Sequence, residues 1–317
     1  MEKTVFLLFL CILGAGCSKY NGELIFNKAE PENGFNFPYY LFLPENMSET
    51  EELILVVEPN NSGFVSDEFK KHAEKAKRTA SNDFYLGNYV AQNLGFPLLV
   101  PVFPRSEENW KMYTHALDRD AMLQKNNALE RIDLQLLAMI TDAENKLKED
   151  RYNINKKVLL TGFSASGTFV NRFTFLHPER VIAAAAGGLN GLLILPKKEM
   201  DGVKLNYPLG ANDFEQLTGK TWDTETFTKV PQFLFMGSLD DNDAILYDDG
   251  YSQEERDIIF KLLGEQMQPK RWENCKHIYE IEKVNATIKT YEGIGHEHPK
   301  MIKDEIVMFF KTQINTK

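Results

Sequence analysis

The chain has 317 residues, 43% of them hydrophobic and 26% charged, which suits a folded domain with a sizeable core and excludes a disordered chain. Its formal net charge is −10, from 36 basic and 46 acidic residues, which argues against sequence-independent nucleic-acid binding, since that needs a basic face. No internal repeat and no Gly/Ser- or Pro-rich linker divides it.

The first segment reads as an export signal. Lys3 supplies a positive start, and Val5 to Leu13 is an apolar run too short to span a bilayer. Gly14-Ala15-Gly16-Cys17-Ser18 follows, and small residues before a cysteine resemble the lipobox of bacterial lipoproteins. That resemblance implies that Cys17 is acylated, becomes the new N-terminus and ties the chain to a bacterial membrane. An ordinary signal peptide cut near the same place is the alternative, and the product is then periplasmic or secreted. Both readings export the mature chain. The expected division is 1–16 as signal peptide, 17–34 as tether and N-terminal strand, and 35–317 as one domain. With Cys11 in the signal and Cys17 as anchor, only Cys275 remains, so no intramolecular disulfide framework is expected. Cys275 reads as structural.

Gly22 to Asn27 and Asn36 to Pro44 read as antiparallel strands. The pattern then changes to short continuous apolar runs, as in strands buried on both faces: Leu53 to Val57, Pro97 to Phe103 and Val158 to Phe163. Val181 to Ala186, Pro231 to Met236 and Ala286 to Tyr291 continue the series. Helical spacing predicts a long helix over Ala116 to Lys148, with Leu129, Ile132, Leu136, Leu137 and Ile140 on one face. Ser166 to His177, Glu254 to Met267 and Pro299 to Thr312 are further helices. Strands alternating with helices imply an α/β fold, a mostly parallel sheet with helices on both faces. Residues 189–230 lack periodicity and carry Pro196, Gly202, Pro208, Gly210 and Gly219, so an insertion or lid is expected before the strand at 231.

Gly162-Phe163-Ser164-Ala165-Ser166-Gly167 lies between a strand and a helix, the setting of a nucleophile elbow. Such a turn needs small residues around the serine and presents its hydroxyl at the carboxyl end of the sheet. It also aims the Ala165 N–H, at a helix N-terminus, toward a developing oxyanion. A Gly/Ser turn that only caps a helix is the alternative. A serine hydroxyl needs a base. Of six histidines, His296 follows the last strand in Glu292-Gly293-Ile294-Gly295-His296, with His298 in reserve. His-Glu-His offers two metal ligands without a third, so no metal is expected. The orienting acid is placed at Asp240, after the 231–236 strand and Gly237, with Asp241 and Asp243 as rivals. His177 reads as a helix C-terminal cap near the last carbonyls. Trp110, Tyr113 and His115 follow the strand ending at Phe103 on the functional rim of the sheet, where they either line the substrate pocket or pack locally.

From about residue 35 to 314 the chain resembles the α/β-hydrolase superfamily, whose order is serine, acid, histidine. The Gly162 to Gly167 string and the His177-Pro178-Glu179-Arg180-Val181 run resemble its esterase and polyhydroxybutyrate-depolymerase-like branch. Ser166 stands where that family usually has glycine. The resemblance implies Ser164 as nucleophile, Asp240 as acid and His296 as base of an ester hydrolase working through an acyl-enzyme. It also implies a second oxyanion donor on the loop after the first parallel strand, placed at the Asn60 or Asn61 backbone N–H. No cofactor is expected, and the partner is a small or polymeric ester. A peptidase with the same triad and a non-catalytic surface-binding lipoprotein are the alternatives.

Overall fold

The computed structural model describes residues 21–315, so the expected signal segment, Cys17 and most of the tether lie outside the described residues. Eight strands build one sheet: β1 (Gly22–Asn27), β2 (Tyr39–Pro44), β3 (Val56–Val57), β4 (Leu98–Pro101), β5 (Val158–Phe163), β6 (Val181–Gly187), β7 (Gln232–Gly237) and β8 (Ala286–Tyr291). Their spatial order is β1-β2-β4-β3-β5-β6-β7-β8. β2 pairs antiparallel with both β1 and β4, and every pair from β4 to β8 is parallel. The expected mostly parallel sheet is what forms, with the N-terminal strand 22–27 as its antiparallel edge.

Alternation along the strands sends side chains to two cores. Ile54, Val56, Leu159, Ala183, Ala185, Phe233 and Phe235 face one side. There they meet α1 (Phe69–Ser81), α2 (Leu86–Leu94) and the C-terminal helix, through Ala76, Val90, Ile306 and Phe310. Leu55, Val57, Leu160, Ala184, Ala186, Leu234 and Met236 face the other side. Against them pack α3 (Ile132–Glu149), α4 (Ala165–Leu176) and α6 (Trp272–Ile281), which follows α5 (Gln253–Leu263) in the chain. The C-terminal helix, Lys300–Asn315, is α7. Because the strands from β3 to β8 run the same way, their carboxyl ends open on one rim. The loops after β3, β4, β5, β7 and β8 therefore meet there.

The elements differ from expectation in two places. The long helix over 116–148 is interrupted. A short helix at Arg119–Met122 precedes α3, and Asn126 and Arg131 take positive φ between them, which a continuous helix forbids. Helices α1 and α2 have no counterpart in the sequence reading. Only His72, Ala76, Thr79 and Ala80 of α1 are buried, so its inner face is small and polar rather than apolar. The 189–230 segment is an insertion packed into the body of the fold. Leu192, Leu193, Leu195, Leu205, Tyr207 and Phe227 are buried in the main core, and a small hairpin joins Glu199–Met200 to Val203–Lys204. Cys275 is buried and unpaired, and burial pushes its thiol up to about 12, in line with a structural role.

Candidate active site

Ser164 is the N-terminal cap of α4 and takes φ +61° and ψ −128°, a conformation rare for a residue with a side chain. The surrounding sequence makes this turn possible. A Cβ on Gly162 would lie 2.5 Å from the Ser166 carbonyl oxygen, and one on Gly167 would lie 2.4 Å from that of Gly187. Helix α4 thus crosses the all-alanine and glycine end of β6 at close range. Ser166 has its own reason to be there. Its hydroxyl accepts from the Phe163 N–H at 2.9 Å and donates to the Phe163 carbonyl at 2.8 Å, closing the turn. Ala165 is the first residue of α4, so its N–H lies outside the helical ladder.

His296 and Asp240 come from the loops after β8 and β7. The loops are stitched together, since the Leu239 N–H donates to the Ile294 carbonyl and the Gly293 N–H to the Ser238 hydroxyl, each at 2.9 Å. The His296 Nδ1 lies 3.0 and 3.1 Å from the two Asp240 carboxylate oxygens. Asp240 is 5% exposed, so water competes little for it. The Asp240 carboxylate also accepts the Asn242 N–H at 3.0 Å. The imidazole packs 4.7 Å from the Phe163 ring and lies against Gly188, where a Cβ would come within 2.9 Å of it. With Nδ1–H donated to the carboxylate, Nε2 is an acceptor. Among the described residues it meets the Asn242 side-chain amide at 3.3 Å, and no hydrogen bond joins it to the Ser164 hydroxyl.

The rivals for these roles have other partners. Asp243 makes two hydrogen bonds to Arg271, at 2.6 and 3.1 Å, and Arg271 is fully buried. Asp241 is exposed. His298 packs its ring 4.7 Å from that of Phe163, and burial lowers it to about 4, so it is neutral. His177 is buried, but its Nε2 reaches Asp133 at 2.9 Å rather than the last carbonyls of α4, correcting the capping expectation for the side chain.

Two cavities flank Ser164, and Asn61, Ser164 and His296 line both. One, of about 360 Å³, is walled by Phe84, Tyr85, Phe163, His298 and the buried Glu58. Burial pushes the Glu58 carboxyl up to about 8, offset in part by the Gly87 N–H at 2.6 Å and by Lys75. The other, of about 340 Å³, carries more polar side chains, Arg105, Tyr113, Thr168, Arg172, Asn190, Asn242 and Asp249 among them. Of the three aromatic candidates, Tyr113 alone reaches a cavity beside Ser164. Trp110 lines a separate depression with Glu108, Met112 and Gln124. His115 is fully buried and is corrected to a packing role. Its Nε2 lies 2.8 Å from the Phe103 carbonyl, its Nδ1 accepts from the Ser62 N–H, and burial lowers it to about 3. Asn60 lines neither cavity. Its side chain bonds the Phe103 N–H and carbonyl at 3.0 and 3.1 Å, which fixes the loop that presents Asn61. Asn61 in turn holds the Gly63 N–H on its side-chain oxygen.

Glu58, Arg105, Thr168, Arg172, Asn190 and Asn242 line the cavities without having stood out in the sequence. A signal existed for two of them, because Thr168 and Arg172 follow Ser164 at four-residue steps on one helix.

No protein-family model and no curated protein matches the chain. Solved structures do. Poly(aspartic acid) hydrolase-1 from Sphingomonas sp. KT-1 is 16% identical with a TM-score of 0.56, over 91% of this chain and 97% of its own. A poly(3-hydroxybutyrate) depolymerase from Bordetella parapertussis is 16% identical with a TM-score of 0.54, over 92% and 89%. Acetyl xylan esterase from Aspergillus awamori is 16% identical with a TM-score of 0.50, over 92% and 99%. At such identities the likeness is one of architecture, and together with the strand order it makes this chain an α/β-hydrolase fold.

Proposed function

We propose that the protein is a serine hydrolase that cleaves carboxylic esters, with Ser164 as nucleophile, His296 as general base and Asp240 as the carboxylate that orients it. One observation carries the reading. A serine held at φ +61° on a strand-turn-helix and a histidine bonded to a buried aspartate line the same two cavities. His296 Nε2 takes the Ser164 proton as the hydroxyl oxygen attacks the ester carbonyl carbon. The Ala165 N–H and an N–H of Asn61 hold the oxyanion. Its collapse expels the alcohol, which leaves with the proton from His296. Water then attacks the acyl-enzyme by the same route in reverse and frees the acid. Asn242 must yield Nε2 to the Ser164 hydroxyl before the first step, and substrate entering the polar cavity displaces it.

The fold neighbours named as esterase and depolymerase support an ester substrate. Export and a lipid anchor at Cys17 belong to the same proposal, supported by the basic-then-apolar start and the Gly-Ala-Gly-Cys string. Hydrolysis of p-nitrophenyl acyl esters by the mature protein tests the reading. Turnover is expected, together with a loss of order 10³-fold or more in Ser164→Ala. A folded Ser164→Ala protein with unchanged turnover overturns it.

A further inference from the structure

The cavity beside α4 contains polar groups that acyl transfer does not use. Ser164, Thr168 and Arg172 stand four residues apart, which stacks them on one stripe of the helix facing that cavity. Arg172 is only 2% exposed. Its guanidinium donates to the Ala116 carbonyl at 2.9 Å and to the Tyr251 hydroxyl at 2.8 Å, both neutral groups. Among the described residues no carboxylate forms an ion pair with it. The two acids whose charges act on it, Asp118 and Glu255, do so at longer range and neither bonds to it. Asp118 accepts the Tyr113 and Ala121 N–H groups, and Glu255 accepts from Ser252. The Thr168 hydroxyl is buried without a partner. Across the cavity Arg105 pairs with Asp249, stacks 3.6 Å over the Tyr113 ring and leaves its Nε buried and unpartnered.

A buried guanidinium among neutral partners is expensive unless an anion completes it, and a buried hydroxyl without a partner points the same way. We propose that this cavity receives a carboxylate of the substrate, so that the preferred ester is anionic, such as a half-ester of a short dicarboxylic acid. Arg172 is the charged partner of that carboxylate and the Thr168 hydroxyl its second donor. Eight residues of helix separate the Ser164 and Arg172 Cα atoms by about 12 Å, and the arginine side chain leans back toward the helix N-terminus. The carboxylate therefore lies on the same short chain as the reacting carbonyl. The opposite cavity, walled by Phe84, Tyr85 and Phe163, takes the uncharged remainder. This inference rests on the reading of Ser164 as nucleophile.

The test compares p-nitrophenyl hydrogen glutarate with its neutral methyl ester, and in parallel measures glutarate binding to Ser164→Ala by calorimetry. The wild type is expected to favour the anionic ester by about tenfold to hundredfold in kcat/KM, the range of one charge-assisted contact. Arg172→Met should bring that ratio close to one, and Arg172→Lys, which keeps the charge, should retain part of it. Glutarate should bind Ser164→Ala at least tenfold more tightly than the Ser164→Ala/Arg172→Met double variant. Equal rates on the two esters with Ser164-dependent turnover overturn the anionic subsite and leave the hydrolase standing. Absence of turnover on both, with Arg172-dependent glutarate binding, overturns the hydrolase and leaves the anion site. Loss of both overturns both. The wild-type ratio is read without any variant, so a misfolded Arg172→Met protein does not shield the inference.

Discussion

Glu58→Gln should make the protein less sensitive to alkali, and the size of the effect follows from the site. Glu58 is 4% exposed, walls the apolar cavity beside Ser164 and accepts the Gly87 N–H at 2.6 Å. Burial raises its carboxyl from 4.5 to about 8. Between those values the folded protein keeps a proton that the unfolded chain has released. The stabilising contribution is therefore complete below pH 4.5 and declines as pH rises through about 8. At about 1.4 kcal/mol per pH unit, the gap bounds the loss near 5 kcal/mol. Relaxation around the charge and the nearby Lys75 reduce it, leaving on the order of 2 to 4 kcal/mol. Glutamine keeps the shape and the acceptor for Gly87 but has no proton to lose. Thermal unfolding followed by circular dichroism should give near-equal midpoints for the two proteins at pH 5. At pH 9.5 the variant should melt roughly 5 to 10 °C higher. Parallel curves for wild type and variant across this range would refute the reasoning and mean that Glu58 is ionised in the folded state throughout.

Three further outcomes follow from named contacts. Asp240→Asn should abolish most ester turnover with little change in melting temperature, whereas Asp243→Asn should lower stability by about 3 kcal/mol through the unpaired, buried Arg271; paired kinetics and melting curves check this, and the reverse pattern reassigns the acid. Asn242→Ala should raise the rate of Ser164 acylation severalfold, because it frees the His296 Nε2 lone pair, and a tenfold fall in stopped-flow acylation would make Asn242 an assistant instead of a competitor. Cys17→Ala should move the protein out of the detergent-extracted membrane fraction or leave it uncleaved, and an unmodified, fully soluble wild type in the periplasm or medium would contradict the lipid anchor.

The sheet was legible because its buried strands are short apolar runs. All eight strands of the sheet coincide with runs read from the sequence, and their alternation with helices implied a parallel order. The elbow was legible from local chemistry: a strand, small residues and a helix start surround Ser164. The Asp240–His296 pairing was legible only through chain order and a resemblance, since 56 residues separate the two. Helix α1 was hidden because alanine, threonine and histidine, rather than leucine, make up its inner face, and α2 because it is only nine residues long and mixes Gly87 and Asn88 with Leu86 and Val90 on its buried side. How residues 189–230 pack was hidden because leucines without a helical period still fill a core when the backbone is irregular. The polar wall of Arg105, Arg172 and Asn242 was hidden for a different reason. It is assembled from two loops and one helix face that meet only at the rim of the folded sheet.

The central claim is that Ser164 is an activated nucleophile, and labelling with a fluorophosphonate probe tests it most directly. The mature protein is treated at neutral pH, digested and examined by mass spectrometry for the phosphonyl adduct. One adduct on the peptide bearing Ser164 is predicted, slowed by orders of magnitude in His296→Ala and absent from Ser164→Ala. A folded wild type that stays unlabelled, or an adduct mapped to another residue, would contradict the account.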